Sequence, residues 1–315
     1  MTNHEVVSNG LKLNVLKVGG NGETTNSMPT PTVVMLHGLR DTAWSLMPIA
    51  EVFAQENFTV FMPELRGHGK SEHSDAYSIH DYILDLYEVV TTQTKGPVVL
   101  FGHSLGGHIV AKFAALFPEL AKAVILVEGL GPPKRADESD IDQQMQSLRF
   151  MLLNRLKKKP GASRPLKSVA EAASKLRRNN PRIQPQEAER IATHLVKKIG
   201  EEFQWVFDSR ANSVFVGVSL QTNANFWRQI KAPVCVISGR LSYEYWGKEM
   251  ASVDFDGHFA KNELEQRAEA FAVHEHHWLE LSGHMAHYDE PEELGRICRE
   301  FTLGALADQT YSKSS

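Results

Sequence analysis

FGHSLGGHIVAKFAALFP, residues 101–118, is the stretch on which the reading of the whole chain turns. The residues before it, GPVVLF, are apolar and β-branched, the pattern of a parallel strand buried on both faces. HIVAKFAALFP repeats apolar residues at helical spacing and stops at Pro118. The segment therefore reads strand, very tight turn, helix, with Ser104 at the bend. Two readings of Ser104 stand side by side here: a nucleophile raised on a strained turn, or a serine capping a helix.

Outward from this unit the same rhythm repeats. TVVMLHG (32–38) reads as a strand and TAWSLMPIAEVFAQE (42–56) as a helix. FTVFMPELRGHGKS (58–71) is a strand running into a glycine-rich loop, and SIHDYILDLYEVVTTQ (78–93) is a helix. KAVILVEGLGPP (122–133) is a strand ended by glycine and proline. Two earlier strands, residues 5–8 and 11–17, bounded by Gly10 and Gly19, form a hairpin, and a polar loop follows them. After Pro133 nearly 100 residues pass with no convincing strand. The rhythm resumes at APVCVISGR (232–240), with a helix near 263–272, the strand HHWLELSGH (276–284) and the helix PEELGRICREF (291–301). Alternating strands and helices call for a mostly parallel sheet covered on both faces. The interruption reads as an inserted helical cap. The expected division is core over 1–130, cap over 131–230 and core again over 231–315.

The bulk numbers agree with a single large core carrying an insertion: 315 residues, 42% of them hydrophobic. A net charge of -4 gives no global signal for nucleic acid or membrane. The first residues lack a basic start and apolar run, and no apolar stretch reaches the roughly 20 residues of a membrane span. The expectation is a soluble, cytoplasmic protein with no membrane span. Cys235 and Cys298 are far apart and match no metal or redox spacing, so they read as two buried thiols.

Gly102-His103-Ser104-Leu105-Gly106 fits G-x-S-x-G. A serine acting as nucleophile there must project above the strand ends, and the glycines remove Cβ atoms from so tight a turn. The helix behind it aims N–H groups, including that of Leu105, at developing negative charge. His37-Gly38 follows an early strand, where the N–H of Leu39 is the candidate second donor of an oxyanion hole. A serine hydroxyl needs a general base. Of fourteen histidines, His284 follows the last strand and precedes the final helix. His287, three residues later, is the alternative base or else a structural neighbour. His274, His276 and His277 cluster, but no carboxylate or cysteine pattern beside them completes a metal site, so no metal and no cofactor are expected.

The ordered set HG at Gly38, PELRGHGKS at 63–71, GHSLGG at 102–107 and GH…DEPEE at 283–293 resembles the α/β-hydrolase fold superfamily, over nearly the whole chain. HGLRDTAWS, VEGLGPP and FQWVFDSR look like its serine hydrolase-like branch. The resemblance implies an α/β-hydrolase fold, a Ser–His–acid triad and hydrolysis at a carbonyl. It also implies an acid at G-x-x-D after the strand PVCVISG, yet this chain has Gly239-Arg240-Leu241-Ser242. Three explanations follow. The acid is Glu128 at the end of AVILVE, where some members of the superfamily carry it; it is Glu244 in the loop LSYEYWG; or the triad is impaired. Asp254 and Asp256 read as solvated loop residues.

Residues 131–200 hold 16 lysines and arginines against 7 aspartates and glutamates, a net of +9. This is either a solvated basic face or a lid that steers an anionic acyl substrate such as a coenzyme A or carrier-protein thioester. RFMLLNRLKKK (149–159) is amphipathic with a basic end. Trp205, Phe207, Phe226 and Trp227 are candidates for an acyl pocket or, equally, for core packing. The expected function is cleavage of a carboxylic ester, thioester or lactone by Ser104, His284 and Glu128, with Leu39 and Leu105 holding the oxyanion. An acyltransferase on the same triad and a degenerate binding protein are the alternatives.

Overall fold

The structure, a computed structural model, describes residues 1–20, 31–134, 164–215, 220–250 and 256–311, with scattered positions between 141 and 153. In the first half run β1 (Thr2–Ser8), β2 (Leu11–Val18), β3 (Thr32–Leu36), α1 (Met47–Gln55), β4 (Thr59–Pro63), α2 (Ile79–Gln93), β5 (Val98–His103), α3 (Leu105–Leu116) and β6 (Ala121–Val127). The insertion supplies α4 (Val169–Asn179), α5 (Pro185–Leu195), β7 (Val196–Ile199), β8 (Glu202–Trp205) and α6 (Leu220–Trp227). The chain then returns through β9 (Val234–Gly239), α7 (Tyr243–Glu249), α8 (Glu263–Ala268), β10 (His274–Leu279), α9 (Ala286–Asp289) and α10 (Pro291–Tyr311).

Eight strands form one sheet in the order β1-β2-β4-β3-β5-β6-β9-β10. The hairpin β1–β2 and the pair β2–β4 are antiparallel, and every other pairing is parallel. The inner strands are buried on both faces, which is why their sequences are almost unbroken apolar runs. Alternation sorts these residues. Val34, Leu36, Leu100, Val124, Leu126 and Val236 face one core with α2 and α3. Met35, Phe101, Ile125, Val127 and Ile237 face the other with α1 and α10, among them both cysteines, which are free thiols.

From β3 the chain crosses to β4 on one side, and β5 lies on the other. Such a reversal opens a crevice beyond the carboxyl ends of the strands. Leu36 pairs with Gly102 and His103 with Val127, so His37-Gly38, Ser104 and Glu128 emerge together at that edge.

The insertion differs from expectation in two ways. It contains an antiparallel hairpin, β7–β8, registered Val196 to Trp205. Its strands, VKKI and EFQW, are only four residues each, too short for a pattern to mark them in the sequence. It is also not one body. α4, α5 and the hairpin enclose one small apolar cluster of their own and share a second with Tyr288 and Met285 of the core. α6, by contrast, delivers Trp227 into the main core beside Phe271. RFMLLNRLKKK lies almost wholly outside the described residues. Among the described residues no helix is long and apolar enough to cross a membrane.

Candidate active site

Ser104 has φ 52° and ψ -113°, a left-handed conformation that costs an L-residue of order 1–3 kcal/mol. The strain is held from both sides: the Ser104 N–H donates to the carbonyl of Val127 at 2.9 Å, and α3 begins at the next residue. Glycine is required at 102 and 106, because a Cβ at either would run into the backbone of Gly106 or of Leu36. The Ser104 side chain makes no capping bond to α3. Its Oγ instead lies 3.0 Å from His284 Nε2.

The other ring nitrogen of His284 lies 3.0 Å from Glu128 Oε2. Glu128 also sits at positive φ, 52°, just past the end of β6. Its N–H is anchored on the carbonyl of Ile237, and its Oε1 accepts from the Gly239 N–H at 2.7 Å. One carboxylate oxygen is thereby fixed by the neighbouring strand and the other is presented to His284. The ring is clamped as well: Tyr245 stacks on it at 4.0 Å and 12°, and Trp246 meets it edge-on at 5.0 Å. His103 Nε2–H donates to the His284 carbonyl at 2.8 Å, and the Gly283 N–H donates to Asp289 at 2.8 Å. A carboxylate on Nδ1–H leaves the Nε2 lone pair facing the hydroxyl, the tautomer that can accept its proton.

The alternative acid is engaged elsewhere. Glu244 takes the Arg182 guanidinium at 2.9 and 3.4 Å, while Arg182 Nε donates to Asp289 at 3.0 Å. The Glu244 hydrogen bond holds that guanidinium above its usual range, against partial burial. Ser242, at the position where the acid was expected, is buried at the start of α7 and its Oγ has no hydrogen-bond partner. Asp256 accepts from the His258 N–H, and Asp254 lies outside the described residues.

Leu105 N–H stands in the first turn of α3, where no intrahelical acceptor exists. Leu39 lines the same cavity one residue after Gly38, whose Cβ, if present, would come 3.3 Å from that of Ser104.

The cavity over Ser104 has a volume of about 490 Å³. Of the four aromatic candidates it is lined by Trp205 and Phe207, with Leu176 and Leu195 from the cap. Phe226 and Trp227 are not among its lining residues, which corrects that expectation. Trp227 is buried against Phe271, and Phe226 lies under the Lys112 ammonium. Five cations stand around the cavity: Arg40, Lys175, Arg178, Arg182 and Lys248. Arg40 pairs with Glu249, Lys175 with Glu171 and Arg182 with Glu244 and Asp289. Arg178 and Lys248 have no ion pair among the described residues.

Sequence reasoning missed the polar layer beneath the site. Asp41 is buried, with His287 at 3.1 Å, the Tyr288 hydroxyl at 2.7 Å and the Ser45 hydroxyl at 2.8 Å. Burial opposes its ionisation, but the His287 hydrogen bond holds it well below the usual carboxylate range. Burial, reinforced by His287 and His284, pushes His103 well below the usual histidine range. The spacing of His284 and His287 on the last turn before α10 was the available signal. At the surface histidines, Glu275 and Cys235 do come within reach of His277, a carboxylate and thiol that spacing did not reveal.

Comparison with known proteins identifies the fold. The family model described as alpha/beta hydrolase fold matches residues 31–291. A serine hydrolase-like protein of Danio rerio is 23% identical over 295 residues, covering 90% of this chain and 84% of that one. Among solved structures, the thioesterase domain from the curacin biosynthetic pathway superposes with a TM-score of 0.75 at 20% identity, covering 94% of this chain and 98% of that one. E-2-(acetamidomethylene)succinate hydrolase superposes with a TM-score of 0.70 at 18% identity, covering 96% and 98%.

Proposed function

The chain belongs to the α/β-hydrolase fold family, and from that premise we propose that it is a serine hydrolase cleaving a small carboxylic ester or thioester through an acyl-enzyme. The observation that carries the reading is the unbroken relay from Glu128 through His284 to Ser104, 3.0 Å at each step. Ser104 Oγ attacks the carbonyl carbon as its proton passes to His284 Nε2. The oxyanion takes the N–H groups of Leu39 and Leu105, where losing one donor costs about 3–4 kcal/mol of transition-state stabilisation. His284 returns the proton to the departing alcohol or thiol. A water then repeats the sequence and releases the acid. Glu128 keeps the imidazole in the required tautomer and offsets its positive charge.

Ser242 motivated the reading of an impaired triad. The Glu128 carboxylate against His284 supplies the partner that Ser242 does not, which favours a working hydrolase.

The cavity suits an acyl group packed against Trp205, Phe207, Leu176 and Leu195, with the rest of the substrate leaving past Arg178 and Lys248. We assign that rim to substrates carrying a carboxylate or phosphate. The test is intact mass after exposure to a fluorophosphonate, wild type beside Ser104→Ala. One adduct on the wild type and none on the variant is expected. A folded wild-type protein that takes up no adduct would falsify the assignment.

A further inference from the structure

Beneath Ser104 lies a group of buried side chains that the reaction above does not use. Asp41, His103 and His287 are all buried, and one ligand atom from each lies within 4.8 Å of the other two. His103 Nε2 faces the His284 carbonyl at 2.8 Å. A carbonyl only accepts, so Nε2 carries the proton and the bare lone pair of the neutral ring is on Nδ1. That Nδ1 is buried with no hydrogen-bond partner. The Nδ1 of His287 is in the same condition, while its Nε2 meets Asp41 Oδ2 at 3.1 Å. The orphaned lone pair of the His103 ring, whose centroid lies 4.5 Å from that of His287, calls for an explanation, since such buried groups are uncommon in folded proteins.

We propose that Asp41, His103 and His287 form a binding site for a borderline divalent transition cation such as Zn²⁺, with an open coordination position toward the cavity. Two imidazoles and one carboxylate are the donors that such ions prefer over the all-oxygen shells of Mg²⁺ or Ca²⁺. The 3.1 Å between His287 Nε2 and Asp41 Oδ2 subtends an angle of about 100° at an ion bonded to each at about 2.0–2.1 Å. That is close to tetrahedral. Coordination through His287 Nε2 moves its proton to Nδ1, so the neutral ring changes tautomer and releases no net proton.

The surroundings complete the case. Asp41 and His103 both line the cavity, which is the entry path. Tyr288 and Ser45 hold the Asp41 carboxylate, and the His284 carbonyl orients the His103 ring. Outer partners of this kind set the direction of metal ligands. The surface group of Cys235, Glu275 and His277 is the weaker candidate, because burial pushes the Cys235 thiol far up and withholds the thiolate.

The experiment is titration of Zn²⁺ into the full chain in competition with a chromogenic chelator. One bound equivalent is expected, lost in Asp41→Asn and in His287→Gln and retained in His277→Gln. Both inner substitutions fall in a buried network, so Co²⁺ is also added to the unaltered protein, where the visible absorption of tetrahedral Co²⁺, competed away by one equivalent of Zn²⁺, is expected. Absence of that spectrum, or Zn²⁺ binding that survives both inner substitutions or disappears with His277→Gln, overturns the site.

Discussion

On the sheet side of the cavity the groups that bear on Ser104 are held by hydrogen bonds that each have a main-chain atom on at least one side. Ser104 hangs from Val127, Glu128 from Ile237 and Gly239, and His284 from His103 and the Gly283 turn. On the cap side several of the contacts to the core run through long or exposed side chains, beside the buried Asp208, whose N–H donates to the Gly67 carbonyl. Arg182 spans Glu244 and Asp289, Arg190 reaches the Trp44 carbonyl at 3.0 Å, and His194 stacks on Trp44 at 3.9 Å. The apolar clusters differ in size: two large ones flank the sheet, one small one lies within the cap, and another small one is shared between the cap and Tyr288. Atoms placed by strand ends are held by neighbours that are themselves buried. Side chains at a cap surface are exchanged with little loss of stability. Under the proposed function the sheet side carries the chemistry and the cap side the choice of substrate.

Substitutions on the two sides should separate along that line. The largest effect is expected at the acid. Glu128→Gln should lower kcat by about a thousandfold to ten-thousandfold, the scale seen when a triad carboxylate becomes an amide. Glu244→Gln should leave kcat within a few-fold, because its partner is Arg182. Steady-state kinetics on an activated ester checks both, and a reversed result would move the acid to Glu244.

Next in size is the pair of aromatics that the fold sends to different places. Trp227→Ala should lower the unfolding free energy by about 3–5 kcal/mol, as for a large core residue truncated to alanine. Phe207→Ala should change stability by less than about 1 kcal/mol and raise KM by roughly tenfold through loss of apolar contact. Denaturant unfolding alongside kinetics distinguishes the two. A Trp227 variant with intact stability and altered KM would put that ring back in the pocket.

The smallest effects belong to the rim. Arg178→Ala and Lys248→Ala should each raise KM for a carboxylate-bearing ester by roughly two- to five-fold at low salt, with the difference fading as ionic strength rises. A neutral ester of the same acyl length should show no change. Equal effects on both substrates would remove the assignment of the rim to anions.

How much of this was legible follows from what kind of signal each feature leaves. Ser104 announces itself because the strained turn demands glycine at 102 and 106, and that demand is written into adjacent positions. His284 is visible because it follows the final strand. Glu128 was one of three possibilities, since a strand-end glutamate carries no mark of where its carboxylate points. Only the register of β6 with β9 brings Gly239 N–H to one oxygen and leaves the other for His284. Trp205, Phe207, Phe226 and Trp227 look alike in sequence because core and pocket wall are built from the same aromatic residues. The cap hairpin was missed because β7, VKKI, shows no apolar alternation and the alternation of β8, EFQW, lasts only four residues.

The sequence by itself determined the sheet with its flanking helices, and it marked Ser104 and His284 as candidates. These rest on local periodicity and on backbone conformations that only certain residues tolerate. The tertiary structure alone decided which glutamate meets His284, which aromatics face the cavity, which cations are left at its rim, and that Asp41, His103 and His287 converge beneath the serine. Those outcomes depend on side chains separated by up to 246 positions in the chain meeting within about 3 Å, and no local pattern records such a meeting.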